Sequence, residues 1–332
     1  MMPSILAVLI FGRMIMRKIL LASTALVAVG SVAAHAADLT ISGSSDWHYI
    51  SFDNASNTGA LNGAFIDYDT DIDFKFTETT DSGLTLTFGV GVSETATDDQ
   101  YLSIAGDFGT LKMNNSEGFA DTAMDESVAD NYTSLGTGDG LQMGAHAADL
   151  TGGTVSYTLP SMSGLTVGMS HQVAGTTTKG DNTTFSAVYT TDIAAGTLKG
   201  QYLQGSTDDT GAASDVSGID YSTIALRATL GDVQITGSQH KKSDNGNTYD
   251  LTNNIFDVKY TGIDGISMSA FSISGDDDKQ SSYDFLQTAA SVTYTIATGL
   301  TASLSVTDTE VTNTSGTKSN DDATVLNIKA TF

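Results

Sequence analysis

Ile66-Asp67-Tyr68-Asp69-Thr70-Asp71-Ile72-Asp73-Phe74-Lys75-Phe76-Thr77 alternates without a break. Apart from Thr70 the even positions are apolar or aromatic, while the odd ones are Asp, Lys or Thr. Successive side chains of a strand point to opposite faces, so this stretch has one apolar and one charged face. Thr80-Asp81-Ser82-Gly83 then makes a short polar turn. The chain returns with Leu84, Leu86, Phe88, Val90 and Val92 on one face and Thr85, Thr87, Gly89, Gly91 and Ser93 on the other. Two strands of about ten residues, dry on one side and wet on the other, suit a membrane-spanning β-barrel with an aqueous interior. A soluble sandwich alternates too, with its apolar face inward. Alternation alone does not say which face meets lipid.

The rest of the chain repeats the hairpin. Turn glycines followed by a strand opening on Leu, Ile or Val recur at Gly83, Gly109, Gly164, Gly196, Gly231, Gly265 and Gly299, and the last four intervals are 32, 35, 34 and 34 residues. Such a spacing is that of a hairpin pair. The interval from Gly109 to Gly164 is 55 residues and must hold an insertion of about twenty. Alternating segments predict about sixteen strands, the first over 38–52, the twelfth starting at 254 and the last running 323–332. Seven short turns alternate with longer polar connections, and short turns on one rim with long loops on the other is the pattern of a bacterial outer-membrane barrel.

Composition narrows the alternatives. The 332 residues include 34 Gly, two Pro and no Cys, with a formal net charge of −25. Without Cys there is no disulfide scaffold, thiolate metal site or Cys nucleophile. No long amphipathic helical pattern is present, so the fold class is all-β. At the N-terminus, Arg17-Lys18 precede the apolar run Ile19 to Val32 and the A-x-A site Ala34-His35-Ala36, which predicts a secretory signal over 1–36. A peptide starting at Met16 is complete in itself, so residues 1–15 read as an over-called start. A single barrel domain over 37–332 would follow, with Ala37 as the first mature residue. Arg13, Arg17 and Lys18 leave with the signal, and the remainder carries 11 basic against 39 acidic side chains, a net of −28. Such a surface repels nucleic acid. No apolar run after the signal is long enough for a spanning helix, so membrane insertion would require a closed barrel.

The last strand indicates the lipid face. Leu326, Ile328, Ala330 and Phe332 share one side, Asn327, Lys329 and Thr331 the other, and the chain ends on the aromatic. Together with the signal, Gly106-Asp107-Phe108-Gly109-Thr110-Leu111 and Val155-Ser156-Tyr157-Thr158-Leu159-Pro160-Ser161-Met162-Ser163-Gly164-Leu165, this strand carries a resemblance. The chain resembles a general bacterial outer-membrane porin of the sixteen-strand, trimeric kind over essentially all of 38–332.

The resemblance implies a transmembrane antiparallel barrel whose long third loop folds into the pore. It implies passive diffusion of small hydrophilic solutes and ions, a homotrimer among outer-membrane lipid and lipopolysaccharide, and Phe332 as a signal to the assembly machinery. Third-loop carboxylates would form the constriction, here Glu117, Asp121, Asp125, Glu126 and Asp130, and would make the channel cation-preferring. One departure is clear. The family's strand into that loop is often followed by Arg, whereas here it reads Leu111-Lys112-Met113-Asn114-Asn115 and Arg227 is the one Arg after the signal. A strong cross-pore field of the usual kind is therefore not expected.

Parity names further wall candidates: Asp46, Asp67, Asp69, Asp71 and Asp73, with Lys75, Lys112, Arg227, Lys259 and Lys329 as basic counterparts. Asp67, Asp69, Asp71 and Glu78 also fit an EF-hand loop, but its sixth position holds Ile72 where a sharp turn requires Gly. The acidic clusters Asp98-Asp99, Asp208-Asp209, Asp276-Asp277-Asp278 and Asp321-Asp322 are read as long-loop residues that could hold Ca²⁺ or Mg²⁺ and bridge to anionic headgroups. No other cofactor is called for. Neither H-E-x-x-H, G-x-S-x-G nor a Walker A motif is present, and the Gly136, Gly138, Gly140 run lacks the third Gly of a dinucleotide loop, so no enzyme is predicted. His48, His146, His171 and His240 are scattered, and Trp47, Tyr49 and other tyrosines suit aromatic girdles. The rival reading is a secreted or surface-attached acidic β-rich adhesin or layer protein.

Overall fold

The computed structural model describes residues 38–54, 63–93, 97–114, 153–173, 180–208, 218–244, 246, 250–279, 284–312 and 316–332. The first eight strands are β1 (Asp38–Asn54), β2 (Gly63–Thr79), β3 (Thr85–Ser93), β4 (Thr97–Gly106), β5 (Gly109–Asn114), β6 (Thr154–Thr158), β7 (Leu165–Gln172) and β8 (Asn182–Ile193). They are followed by β9 (Gly196–Thr207), β10 (Ile219–Leu230), β11 (Val233–Asp244) and β12 (Asp250–Ile263). The last four are β13 (Ile266–Asp277), β14 (Asp284–Ala297), β15 (Leu300–Thr312) and β16 (Lys318–Thr331).

Each strand pairs antiparallel with its sequence neighbours, and β1 closes on β16 from Ser44↔Thr331 to Asn54↔Asp321. Closure leaves no sheet edge, which is what a β-protein needs in lipid. Followed strand by strand, the register returns to β1 about 20 residues out of step, the stagger that tilts the strands of a closed barrel. The seam is latched at its end, where Gly43 and Phe332 exchange both backbone hydrogen bonds at 3.1 Å. Gly43 is also where the Phe332 ring lies, since a Cβ there would stand 2.7 Å from its Cζ.

Short turns keep the strands in register on one rim. At Thr80–Leu84, Gly83 N–H donates to Thr80 O at 2.9 Å and Leu84 N–H to Thr80 Oγ1 at 3.1 Å, with Gly83 at φ 81°, a conformation open to Gly at little cost. Gly164 is constrained twice, by φ 88° and by Thr190 O, which would lie 2.1 Å from a Cβ.

On the other rim the strands run further than the alternation predicts. β12 starts at Asp250 rather than 254, β16 at Lys318 rather than 323, and β11, β13 and β15 also overrun. Backbone pairing continues there after the outward face has turned polar, so the periodic signal ends before the strand does. Three of the acidic clusters consequently lie in strands, not loops: Asp98-Asp99 in β4, Asp276-Asp277 in β13 and Asp321-Asp322 in β16.

Candidate functional site

Burial identifies the two faces. On β1, Asp46 is 8% exposed while Trp47 beside it is 52% exposed. On β8 and β9 the hydroxyls of Thr184 and Ser186 and the amide of Gln201 are buried, and Phe185 and Tyr202 are exposed. Polar groups inside and large apolar groups outside is the reverse of a soluble core, and it fits a barrel with lipid around it and water within. The apolar outer face carries Trp47 stacked on Tyr68 at 5.3 Å between ring centroids, and Phe76 against Phe88 at 6.2 Å.

The lumen face follows from register. Asp46 pairs with Asp69 on one side and Lys329 on the other, which puts the odd residues of β2 and β16 inside. Asp67, Asp69, Asp71 and Asp73 therefore form one column up β2, with Lys75 below them. This row is regular strand, not the looped backbone of a calcium site. The same tracing places Lys112, Arg227 and Lys259 inside, and adds Lys199 and Lys242. Lys199 stands directly opposite Arg227 in the β9–β10 pairing. Parity could have found both added lysines; Leu203 and Tyr221, apolar groups on the wet face, blur the pattern around them.

Strands β9 and β10 lie eight places from β1 and β2 in a ring of sixteen. The Lys199–Arg227 pair thus stands on the side of the lumen opposite β1 and β2. Lysines supply most of the positive charge on the described lumen wall. At about 0.15 M salt the Debye length is near 8 Å, so an ion close to either wall feels that wall's sign first.

Individual partners tune these charges. Lys329 Nζ donates to Asp46 Oδ2 at 2.6 Å, and Asn327 Nδ2 to Asp46 Oδ1 at 3.3 Å. Lys112 Nζ sits 4.8 Å above the Tyr101 ring, which itself covers Gly89. Both, with Asp73 and Lys75, line a hollow of about 270 Å³ in the wall. Arg227 Nε donates to Thr236 Oγ1 at 3.1 Å, and Thr236 pairs with the fully buried Asp257. On β10, Tyr221 crosses Gly205 and bonds Thr184 Oγ1 at 2.5 Å and Asn182 Oδ1 at 2.8 Å.

Part of the lumen face is not polar. Ile255, Phe271, Ile273 and Phe285 form a buried cluster on β12, β13 and β14, with Ala289 and Val311 packed against it. Nothing in a period-two pattern distinguishes these inward apolar residues from lipid-facing ones.

The structure separates other candidates. Strand alternation splits the Asp276-Asp277-Asp278 cluster: Asp276 faces outward, whereas Asp277 is buried and accepts the Asp250 and Lys279 N–H groups at 2.9 Å through one oxygen. Among the described residues no group of three or more His, Asp or Glu is placed to hold a metal ion. His48 and His240 face the lumen, where His240 meets Thr223 Oγ1 at 2.8 Å, and His171 lies outside beside Thr183 at 3.0 Å. Phe332 is outward and 72% exposed. Glu117, Asp121, Asp125, Glu126 and Asp130, His146 and the predicted signal all lie outside the described residues. The side chains of Asp98, Asp99 and Asp321 do too.

A closed sixteen-strand barrel, apolar outside and charged inside, defines a diffusion channel of the outer membrane. Residues 22–332 match the family described as Gram-negative porin, and the chain belongs to it. Among solved structures it is similar to the anion-selective porin from Comamonas acidovorans, at 12% identity and TM-score 0.67, covering 89% of this chain and 100% of that one. It is likewise similar to OmpT of Vibrio cholerae, at 13% identity and TM-score 0.64, covering 91% and 99%. A comparison with curated protein sequences gives no match. Family and fold point to a channel rather than an enzyme, and to the outer membrane rather than a secreted adhesin.

Proposed function

We propose that the channel passes small hydrophilic solutes and prefers cations, the preference being set where Glu117, Asp121, Asp125, Glu126 and Asp130 of the third loop narrow it. The observation that carries this reading is the column Asp67, Asp69, Asp71 and Asp73, which gives one wall of the lumen a continuous negative strip leading down from the long-loop rim. A net of −28 after the signal points the same way. The fold itself does not decide the sign: the similar Comamonas structure is titled anion-selective. Selectivity therefore rests on side chains. The protein works as a homotrimer in this proposal; a similar Vibrio cholerae structure is described as a trimer form. Export follows cleavage after Ala36, and Phe332 is read by the assembly machinery.

Reversal potentials in a KCl gradient test the sign. The quadruple variant Asp121→Asn, Asp125→Asn, Glu126→Gln, Asp130→Asn should lose most of its cation preference at both low and moderate salt, because charges at the narrowest point stay within a Debye length of the ion. Neutralising Asp276, Asp277 and Asp278 should matter only in dilute salt. Equal behaviour of the two variants, or an anion-selective parent, would refute the constriction assignment.

A further inference from the structure

Six lumen-facing cations stand at one level: Lys75 on β2, Lys112 on β5, Lys199 on β9, Arg227 on β10, Lys259 on β12 and Lys329 on β16. Each lies two to four residues from the short-turn end of its strand. They come from strands spaced round the whole barrel, so they make a belt rather than a patch. Four carboxylates share or border its level: Asp46, paired with Lys329, Asp71 and Asp73, four and two positions above Lys75, and Asp257 two above Lys259. Asp192 and Asp38 lie below them, at the short-turn ends of β8 and β1. Above the belt the balance reverses. Asp67, Asp69, Asp244 and Asp277 face inward there, with Lys242 as the one lysine or arginine among the described lumen residues.

We infer that this belt is a second filter of opposite sign, in series with the acidic upper lumen, and that conduction through the channel therefore rectifies. The physical reason is accumulation and depletion where the two sections meet. With the long-loop side positive, cations arrive through the acidic section and anions arrive from the other mouth through the basic belt. Both carriers collect at the junction and conductance rises. With the voltage reversed, both are drawn away and the junction empties. The asymmetry needs wall charge to reach across the lumen, so it should be strong at 0.01 M salt, where the Debye length is ~30 Å, and vanish at 1 M, where it is ~3 Å. It rests on the lumen being an ion path and does not require the third-loop carboxylates, so the two ideas can fail separately.

The test is current against voltage in planar bilayers with the protein added from one side. The chain lacks Cys, so Ser82→Cys in the first short turn, with a charged, impermeant thiol reagent, reports which rim faces which chamber. At 0.01 M KCl the current with the long-loop side positive should exceed the reverse current by at least about twofold, falling to about 1 at 1 M KCl. Lys199→Gln, Arg227→Gln and Lys259→Gln together should abolish the ratio while leaving the shift on loop neutralisation in place. Arg227→Gln and Lys259→Gln alone should each lower it in part, which covers the case of a triple variant that fails to fold. A symmetric curve in dilute salt, the opposite polarity, or a ratio unmoved by these variants would overturn the inference.

Discussion

Strands β2 and β13 alternate equally well and in opposite senses. On the upper part of β2, Ile66 and Tyr68 face outward and Asp67 and Asp69 face the lumen, and all four are exposed. On the upper part of β13 the outward residues are Ser272, Ser274 and Asp276, while Phe271 and Ile273 point inward, Ile273 with only 1% exposure. A period of two says that a strand has two kinds of neighbour. It does not say which is which. Lipid demands an apolar outer face. Where a strand turns polar outside, as at Ser272, Ser274 and Asp276, an inward apolar cluster such as Ile255, Phe271, Ile273 and Phe285 is as good a solution as a wet wall.

The sharpest way to break this contrast is to exchange the chemistry of the two walls. Ile273→Asp leaves an uncompensated charge among buried apolar groups and should destabilise the barrel by about 3–5 kcal/mol in urea unfolding from lipid vesicles. Asp69→Ile, on the lumen face of β2, should change stability by less than about 0.5 kcal/mol. Comparable losses would mean that the walls do not differ as described. Gly205→Ala comes next: its Cβ would meet the Tyr221 ring at 2.2 Å. Displacing that ring should cost about 1–3 kcal/mol, and Tyr221→Phe, which keeps the ring, about 1 kcal/mol by the same assay. A Gly205→Ala barrel as stable as the parent would show that Tyr221 moves aside freely. A small effect is expected at the seam. Lys329 is 40% exposed on the side chain, so Lys329→Met should cost under about 1 kcal/mol despite its 2.6 Å bond to Asp46. A larger loss, seen as a lower temperature at which the barrel's gel mobility shifts, would make that pair part of barrel closure.

Much of this was legible in the residues. Regular turn glycines and lipid-level alternation gave the strand number, their order and the rim of short turns. Phe332 and the strand before it pointed to the lipid face. Strand ends at the long-loop rim were not legible, because pairing outlasts the amphipathic pattern; for the same reason Asp276-Asp277 and Asp321-Asp322 read as loops. Lys199 escaped because Gly200 and Leu203, which follow it, interrupt the parity. The column on β2 needed no structure, since four carboxylates at every second residue can share only one face.

Alone, the sequence determined local properties: which residues extend, where the chain turns, and that each spanning strand has two unlike faces. These depend on backbone geometry and on neighbours a few residues away. Only the closed barrel decided which charges meet. Asp46 and Lys329 are 283 residues apart, and their bond exists because β1 pairs with β16. The belt from Lys75 to Lys329 is likewise invisible along the chain. Its members share a level only once the register of sixteen pairings, and the tilt that closure imposes, has been laid down.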